Sequence, residues 1–202
     1  MDKLSRKKVF LNLVFLIFSL GHGAAFSEVI HKTLPLYLYS DFGLIEKHHF
    51  YPVGKMGDTA DVSLIENCSE NPAKGETCIS IRYTPHKEAS WAGIYWLYPP
   101  NNWGFIPETG YDLRGAKRFS FYAKGKKGGE RINFTIGGVS GQYGDTALVQ
   151  LEAVVLTAEW REYTLDLSKS DMSRIIGGFS FSIQYDLNPF GIEFYLDELR
   201  YE

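Results

Sequence analysis

Short segments in which apolar and polar residues alternate dominate the sequence from residue 36 onward. This period of two is that of a β-strand with one buried face, and no long stretch shows the 3.6-residue period of an amphipathic helix. The segments lie at 36–39, 62–65, 79–83, 92–98, 119–123, 132–136, 148–156, 163–167, 179–185 and 192–201. Glycine-bearing turns separate many of them. The pattern predicts an all-β chain folded as an antiparallel β-sandwich, with one short helical turn at 170–175.

The N-terminal segment has the pattern of a secretory signal peptide. A basic start at 3–8 precedes an apolar run at 9–20, and small residues follow. The run is shorter than the ~20 residues that a membrane span needs. We therefore expect a signal peptide at 1–25, with cleavage after Ala25 or, as the other option, after Ser27, and one exported domain at 26–202. An uncleaved membrane anchor is the alternative.

The charge balance bears on partners. The whole chain has a formal net charge of −3, and the first 25 residues carry four cations and one anion, so the remainder is more acidic. A net acidic chain argues against non-specific nucleic-acid binding. The basic cluster at 124–127 is interpreted as the solvated tip of a hairpin. We expect no nucleic-acid partner, and contact with a membrane only if the signal is not cleaved.

The two cysteines, Cys68 and Cys78, both follow the signal. An exported chain meets an oxidising compartment, so a disulfide between them is predicted. A ring this short stabilises a fold by roughly 2–3 kcal/mol on chain entropy. Two free thiols are the alternative. A zinc site is less favoured, because no histidine pair stands at a fixed short spacing from the cysteines.

Three phrases in the second half resemble a known fold family. They are YDLRGAKRFSFYAKG (111–125), LTAEWREYTLDLS (156–168) and FYLDELRYE (194–202). Together they resemble the galactose-binding-like β-jelly roll of carbohydrate-binding modules, such as those of families 4 and 11. The resemblance implies a jelly-roll sandwich with a saccharide or polysaccharide partner, in the periplasm or secreted. The same fold occurs in non-sugar adaptors, so a protein-interaction or structural module is the alternative.

Motifs of catalysis are scarce. The sequence contains no H-E-x-x-H, no G-x-S-x-G, no phosphate loop and no dinucleotide fingerprint. A glycosidase would need two carboxylates facing each other across a sugar. Asp145 and Glu152 are the first acids to consider for a small polysaccharide hydrolase or lyase, which is the third hypothesis after binding and protein interaction.

Aromatic residues with polar neighbours give a stronger signal, because sugar rings stack their apolar faces on flat aromatic rings. Trp91 and Tyr95 belong to a WAGIYW segment, and Trp103 to an NNWGF loop. We predict that Trp91 and Trp103 are exposed. Trp96 and Trp160 are assigned to the core.

Strand alternation adds polar candidates. If the apolar residues of 119–121, 132–136 and 179–183 point inward, Tyr122, Arg131, Asn133 and Gln184 point outward. Such side chains suit sugar hydroxyls, although they also suit any solvated sheet face. With Trp91, Tyr95 and Trp103, they form the predicted ligand-binding set of a non-catalytic saccharide-binding domain.

The resemblance also implies a structural calcium ion as a candidate cofactor. Jelly-roll modules often hold Ca²⁺ with the first acid of the closing phrase, which matches Asp197 here. Calcium prefers several oxygen ligands, so Asp41 and Asp58 are the accompanying candidates if the N-terminal part meets the last strand. The acidic opening phrase typical of several such families is absent.

Overall fold

The computed structural model describes residues 29–43 and 49–202. The predicted signal peptide at 1–25 lies outside these residues. Within them, thirteen strands and two short 3-10 helices account for the regular structure. None of the helices in this described part is long and apolar enough to cross a bilayer.

The elements follow the predicted alternation closely. The strands are β1 (Ile30–His31), β2 (Leu36–Tyr39), β3 (Tyr51–Gly57), β4 (Val62–Cys68), β5 (Cys78–Tyr83), β6 (Trp91–Leu97), β7 (Tyr111–Asp112), β8 (Arg118–Gly125), β9 (Arg131–Gly137), β10 (Leu148–Val155), β11 (Arg161–Asp166), β12 (Gly177–Gln184) and β13 (Ile192–Tyr201). The 3-10 helices are Thr59–Asp61 and Tyr185–Leu187.

Two antiparallel sheets form the sandwich. Sheet I has the strand order β10-β9-β12-β6-β3. Sheet II has the order β11-β8-β13-β5-β4, and β2 pairs with the end of β13. A two-stranded parallel pair of β1 and β7 lies apart from both. The prediction of an all-β antiparallel jelly-roll sandwich is confirmed.

The core lies between the inward faces of the two sheets and is rich in aromatic rings. Phe119 of sheet II stacks on Phe179 of sheet I, with ring centroids 5.2 Å apart, and Trp96 meets the same ring edge-on at 5.3 Å. Trp96 is 1% exposed, so its assignment to the core is confirmed. Rings packed in this way contribute attraction beyond the burial of their area.

Two local features differ from the sequence-based expectation. Residues 170–175 form no helix, because the backbone of Ile175 bridges to Tyr111 and is therefore extended. Strand β3 was not predicted, since its YPVGKMG sequence contains Pro52 and Gly54. It is the edge strand of sheet I, where proline is tolerated. A side chain at Gly54 would collide with Leu97 and Tyr95 on β6.

Candidate functional site

The outward face of sheet I carries three rows of side chains that run across its strands. The registers place Trp91 opposite Gln184, and Ser182 opposite both Gly93 and Asn133. The third row consists of Tyr95, Ser180, Thr135 and Gln150. Successive rows are about 7 Å apart, because alternate residues of a strand share a face. The alternation therefore gathers most of the predicted polar set on one surface.

The first row is open to solvent. Trp91 is 43% exposed at the start of β6, and Gln184 is exposed at the end of β12. Arg131 is the next outward position on β9 beyond Asn133, so it lies at the same end of the face. Among the described residues, its exposed guanidinium makes no ion pair. The row thus offers an aromatic ring, an amide and a free cation.

Backbone contacts hold this open row in place. The side chain of Asn188 accepts a hydrogen bond from the Arg131 N–H at 3.1 Å and donates to the Arg131 carbonyl at 2.8 Å. The Trp91 carbonyl accepts a hydrogen bond from the Asp58 N–H at 2.7 Å. The indole lies against Gly57, where an added Cβ would fall 2.8 Å from the ring. The positions of Arg131 and Trp91 are therefore set by the scaffold.

The second row is low and polar. Gly93 contributes no side chain, and the Met56 methyl group lies over it. Asn133 donates through Nδ2 to Ser182 Oγ at 3.3 Å and accepts through Oδ1 from the Ala153 N–H at 2.7 Å. That N–H is available because β10 has a bulge between Leu151 and Val154. The Asn133 amide is thus oriented, not free to rotate.

The third row is covered. Tyr95 is only 9% exposed, and its hydroxyl donates to the Gly137 carbonyl at 3.0 Å. Trp103 meets the Tyr95 ring edge-on at 5.8 Å and is half-buried. Both belong to a small apolar cluster completed by Leu97, Val139, Ile176 and Met56. Trp103, which is predicted to be exposed, is therefore only partly exposed: its ring packs on Tyr95 and borders one end of the face.

Asp145 anchors the loop that covers this end. Its carboxylate accepts hydrogen bonds from the backbone N–H groups of Val139, Ile176 and Gly177, at 2.8, 2.5 and 3.1 Å. Burial raises the pKa of Asp145 to about 6, while these three donors oppose the rise. Both of its oxygens are engaged by the backbone. The geometry is that of a loop anchor, whereas Glu152 lies exposed at the β10 bulge.

Tyr122 does not belong to this face. It lies on β8, which pairs with β11 and β13 in sheet II, and the ammonium of Lys74 sits 5.3 Å from its ring centre. Its predicted grouping with Arg131 and Gln184 is therefore wrong. Alternation on a single strand shows which residues share a face of that strand, but not which strands share a sheet.

Trp160 is likewise not a core residue. It is half-buried, its indole N–H donates to the Asn71 carbonyl at 2.8 Å, and the ammonium of Lys124 lies 5.2 Å from its ring. Asn71 belongs to the loop that connects β4 and β5. Trp160 therefore fastens that loop onto the outer face of sheet II, and its assignment to the core is wrong.

The predicted calcium ligands do not form a calcium site. Asp197 is fully buried, and its carboxylate accepts hydrogen bonds from the N–H groups of Ala73, Lys74 and Glu198. Asp41 accepts from the N–H groups of Glu76 and Thr77. These two acids therefore anchor the β4–β5 loop. The carboxylate oxygens that would bind a cation already accept hydrogen bonds from the backbone.

Asp58 lies elsewhere, in an ion pair with Lys87 at 2.7 Å. The hydrogen bond from Lys87 holds the pKa of Asp58 below its usual value. Among the described residues, no group of three or more His, Cys, Asp or Glu side chains could hold a metal ion. The implied calcium site is thus not supported by the residues present.

The two cysteines face each other across a pair of strands. Cys68 at the end of β4 is in register with Cys78 at the start of β5, and both are free thiols in the structure. Burial raises the pKa of the Cys78 thiol to about 12, and the neighbouring Cys68 thiol adds to the rise. The register brings the pair together, and the bond itself stays a prediction.

Comparison with known proteins bears on the fold. No protein-family model matches the chain, and no curated protein matches it significantly. A family 30 carbohydrate-binding module of a cellulosomal cellulase of Clostridium thermocellum superposes with a TM-score of 0.57 at 13% identity, over 84% of this chain and 98% of the module. Another family 30 module gives a TM-score of 0.59 at 14% identity, over 84% and 88%.

A family 11 module from Clostridium thermocellum, in complex with a β-1,3-1,4-mixed-linked tetrasaccharide, gives a TM-score of 0.56 at 15% identity, over 84% of this chain and 96% of the module. The chain has the fold of these carbohydrate-binding modules. The resemblance found in the sequence is thereby confirmed at the level of the jelly roll. Because the identities are low, the assignment of a ligand rests on the residues of this chain.

The predicted ligand-binding set omits several members of the site. Gln150, Ser180 and Ser182 lie on the same face as the predicted residues, and the alternation along β12 places the two serines outward beside Gln184. Gly93 also belongs to the site, because its lack of a side chain keeps the second row shallow. Its signal is a glycine inside an otherwise aromatic strand.

Proposed function

We propose that the chain is an exported, non-catalytic saccharide-binding module, located in the periplasm or secreted, whose binding surface is the open part of the outward face of sheet I. In this proposal residues 1–25 are a signal peptide and residues 26–202 are the binding domain. The fold shared with carbohydrate-binding modules supports the class of partner.

The observation that carries the proposal is the open row of Trp91, Gln184 and Arg131. A sugar ring presents an apolar face that stacks on an indole and hydroxyls that need planar polar partners. Trp91 offers the first contact, while the Gln184 amide and the Arg131 guanidinium offer the second. Asn133 and Ser182 extend the polar floor beneath a ligand that crosses the row.

The rings of Tyr95 and Trp103 close the binding surface at one end. The open row and the third row are about 14 Å apart along the strands, from the rise per residue. That length accommodates a short oligosaccharide lying along the strands, with its last unit against the exposed edge of Trp103. In this proposal Trp103 limits the length of the bound oligosaccharide, and Tyr95 packs beneath the Trp103 ring.

The proposal is tested by titrating the protein with soluble polysaccharides, including mixed-linked β-1,3-1,4-glucan, and comparing Trp91→Ala and Gln184→Ala with Phe42→Ala. Phe42 is an aromatic residue exposed away from the face, beside Thr77 at the β4–β5 loop, so its loss is a matched control. Binding that is unchanged in Phe42→Ala and weakened in the other two variants supports the proposal.

Each alternative has its own outcome. Stable variants with no polysaccharide bound by the wild type would favour the protein-interaction module. Release of sugar fragments would favour an enzyme.

A further inference from the structure

A pocket of about 510 Å³ opens at one end of the sandwich, and none of its lining residues belongs to the three rows described above. Three segments line it: the end of β5, the hairpin between β8 and β9, and the turn that precedes β13. Its charged lining residues are Arg82, Lys126, Lys127, Glu130 and Glu193. None of them belongs to the predicted ligand-binding set.

Glu130 is the unusual member of this lining. It is 6% exposed, and its Oε1 accepts a hydrogen bond from the Lys127 N–H at 2.9 Å. Its Oε2 is buried and has no hydrogen-bond partner within the described part of the chain. A Cβ at Gly125 would fall 1.6 Å from that oxygen, so a glycine there is what makes room for the carboxylate. A buried acceptor without a donor is costly, so the Glu130 carboxylate would gain free energy by turning toward a hydroxyl donor in the pocket.

The other charged side chains of the pocket differ in whether they form ion pairs. Glu193 binds Arg82 at 3.0 Å and Lys126 at 2.9 Å, and it also accepts from the Tyr195 hydroxyl. Lys127 has no ion-pair partner in residues 29–43 and 49–202. Among its charged side chains, the pocket therefore offers an acceptor on Glu130 and a donor on Lys127.

Phe190 lies at this pocket and is 99% exposed. The turn that carries it is fixed by its neighbours. The buried Asn188 side chain is hydrogen-bonded to the Arg131 backbone, and the Gly191 N–H donates to the Asn188 carbonyl at 3.1 Å. Gly191 has φ of +71°, and an added Cβ would fall 2.6 Å from the Tyr83 carbonyl oxygen. A fixed turn thus holds an aromatic ring in water beside a pocket.

We propose that this pocket is a second saccharide site, which takes the terminal sugar residue of a chain. Phe190 stacks on the apolar face of the ring, the Glu130 carboxylate turns toward the pocket and accepts a hydrogen bond from a ring hydroxyl, and the Lys127 ammonium donates to another. The site goes beyond the proposed function, because none of its lining residues belongs to the rows of the outward face of sheet I. A pocket at the end of the sandwich suits a chain end.

The experiment is an NMR titration of isotope-labelled protein with separate monosaccharides: glucose, galactose, mannose, xylose, N-acetylglucosamine, glucuronate and galacturonate. We expect at least one of them to shift the amide resonances of Lys127, Gly128 and Gly191 saturably. Phe190→Ala should raise the dissociation constant of that monosaccharide by about three- to tenfold, the scale of an aromatic contact. Because Phe190 is almost fully exposed, the variant should fold as the wild type does.

Three further variants test the assigned contacts and their location. Glu130→Gln should weaken binding by about tenfold or more, since a hydrogen bond to a charged acceptor is lost. Phe105→Ala, which removes another highly exposed phenylalanine, and Trp91→Ala should leave the pocket titration unchanged. The proposal is overturned if no monosaccharide shifts the pocket resonances, or if Phe190→Ala and Phe105→Ala behave alike. A pocket that binds while the sheet face does not would contradict the proposed function alone.

Discussion

Trp91 on β6 lies directly opposite Gln184 on β12, so that an exposed indole and an exposed amide share one row of the outward face of sheet I. Neighbouring strands in a sheet are about 4.8 Å apart, which brings the two groups within the width of one sugar ring. The pairing combines a stacking surface with a planar hydrogen-bonding group. This is the relationship on which the proposed saccharide site depends.

Replacing Trp91 with alanine should reduce polysaccharide affinity by about 1–1.5 kcal/mol, the scale of one aromatic contact. The melting temperature should change little, because Trp91 is 43% exposed and its removal leaves no buried cavity. Isothermal titration calorimetry and thermal unfolding measure the two effects on the same sample. A variant that unfolds at a much lower temperature while its affinity is unchanged would assign Trp91 to packing.

Replacing Trp103 with alanine should lower both the polysaccharide affinity and the stability of the fold. Its half-buried ring packs on Tyr95, so we expect a loss of about 1–3 kcal/mol of stability, below the ~3–5 kcal/mol of a fully buried aromatic residue. Trp96→Ala supplies that fully buried reference. Chemical denaturation of both variants gives the comparison, and equal losses would place Trp103 in the core.

Replacing Asp197 with alanine should lower the free energy of unfolding by about 2–4 kcal/mol, because the N–H groups of Ala73, Lys74 and Glu198 lose their acceptor. Added calcium chloride should not raise the melting temperature of the wild type, since the Asp197 oxygens are engaged by the backbone. An increase with calcium that disappears in the Asp197 variant would restore the calcium site.

The raised pKa of Asp145 predicts a pH dependence of stability. Its pKa of about 6 in the fold exceeds its ordinary value of 3.8, so the folded state binds this proton more tightly than the unfolded state does. The contribution is fully present below pH 3.8 and is lost as the pH rises through about 6. Relative to Asp145→Asn, the wild type should therefore lose stability between about pH 4 and pH 7.

Thermal unfolding of the wild type and of Asp145→Asn between about pH 4 and pH 7 measures the difference in stability. Taking the difference cancels the titration of all other groups. A wild type that gains stability over the variant as the pH rises would mean that the three backbone donors hold the carboxylate ionised.

The register of Cys68 and Cys78 predicts a disulfide when the protein passes through an oxidising compartment. Alkylation without reduction, followed by intact mass spectrometry, should then modify neither cysteine in exported protein. Alkylation at both sites would identify them as free thiols. Reduction of the bond should cost roughly 2–3 kcal/mol of stability.

Much of the fold could be predicted from the sequence because the alternation is strong. Ten of the thirteen strands correspond to predicted segments; β1, β3 and β7 do not. Strand β3 was missed because it contains Pro52, which an edge position tolerates, and Gly54, which makes room for Leu97 and Tyr95 on β6. The two-residue β1 and β7 are too short to show a period.

The candidate site could be predicted only in part. Arg131, Asn133 and Gln184 share a face as expected, because each alternates with buried residues on strands of one sheet. Tyr122 alternates in the same way but belongs to the other sheet, and strand order is a long-range property that local pattern does not encode. Trp160 was misplaced for a similar reason, since its partner is Asn71, 89 residues away.

The saccharide surface on sheet I is tested most directly by the indole N–H resonances of the four tryptophans in a titration with soluble polysaccharides. We predict that the Trp91 resonance shifts most, that Trp103 shifts less, and that Trp96 and Trp160 do not move. The reason is position: Trp91 and Trp103 border the outward face of sheet I, Trp96 is in the core, and Trp160 lies on sheet II. A ligand that shifts Trp160 and leaves Trp91 unchanged, or no shift with any polysaccharide, would contradict the proposed surface.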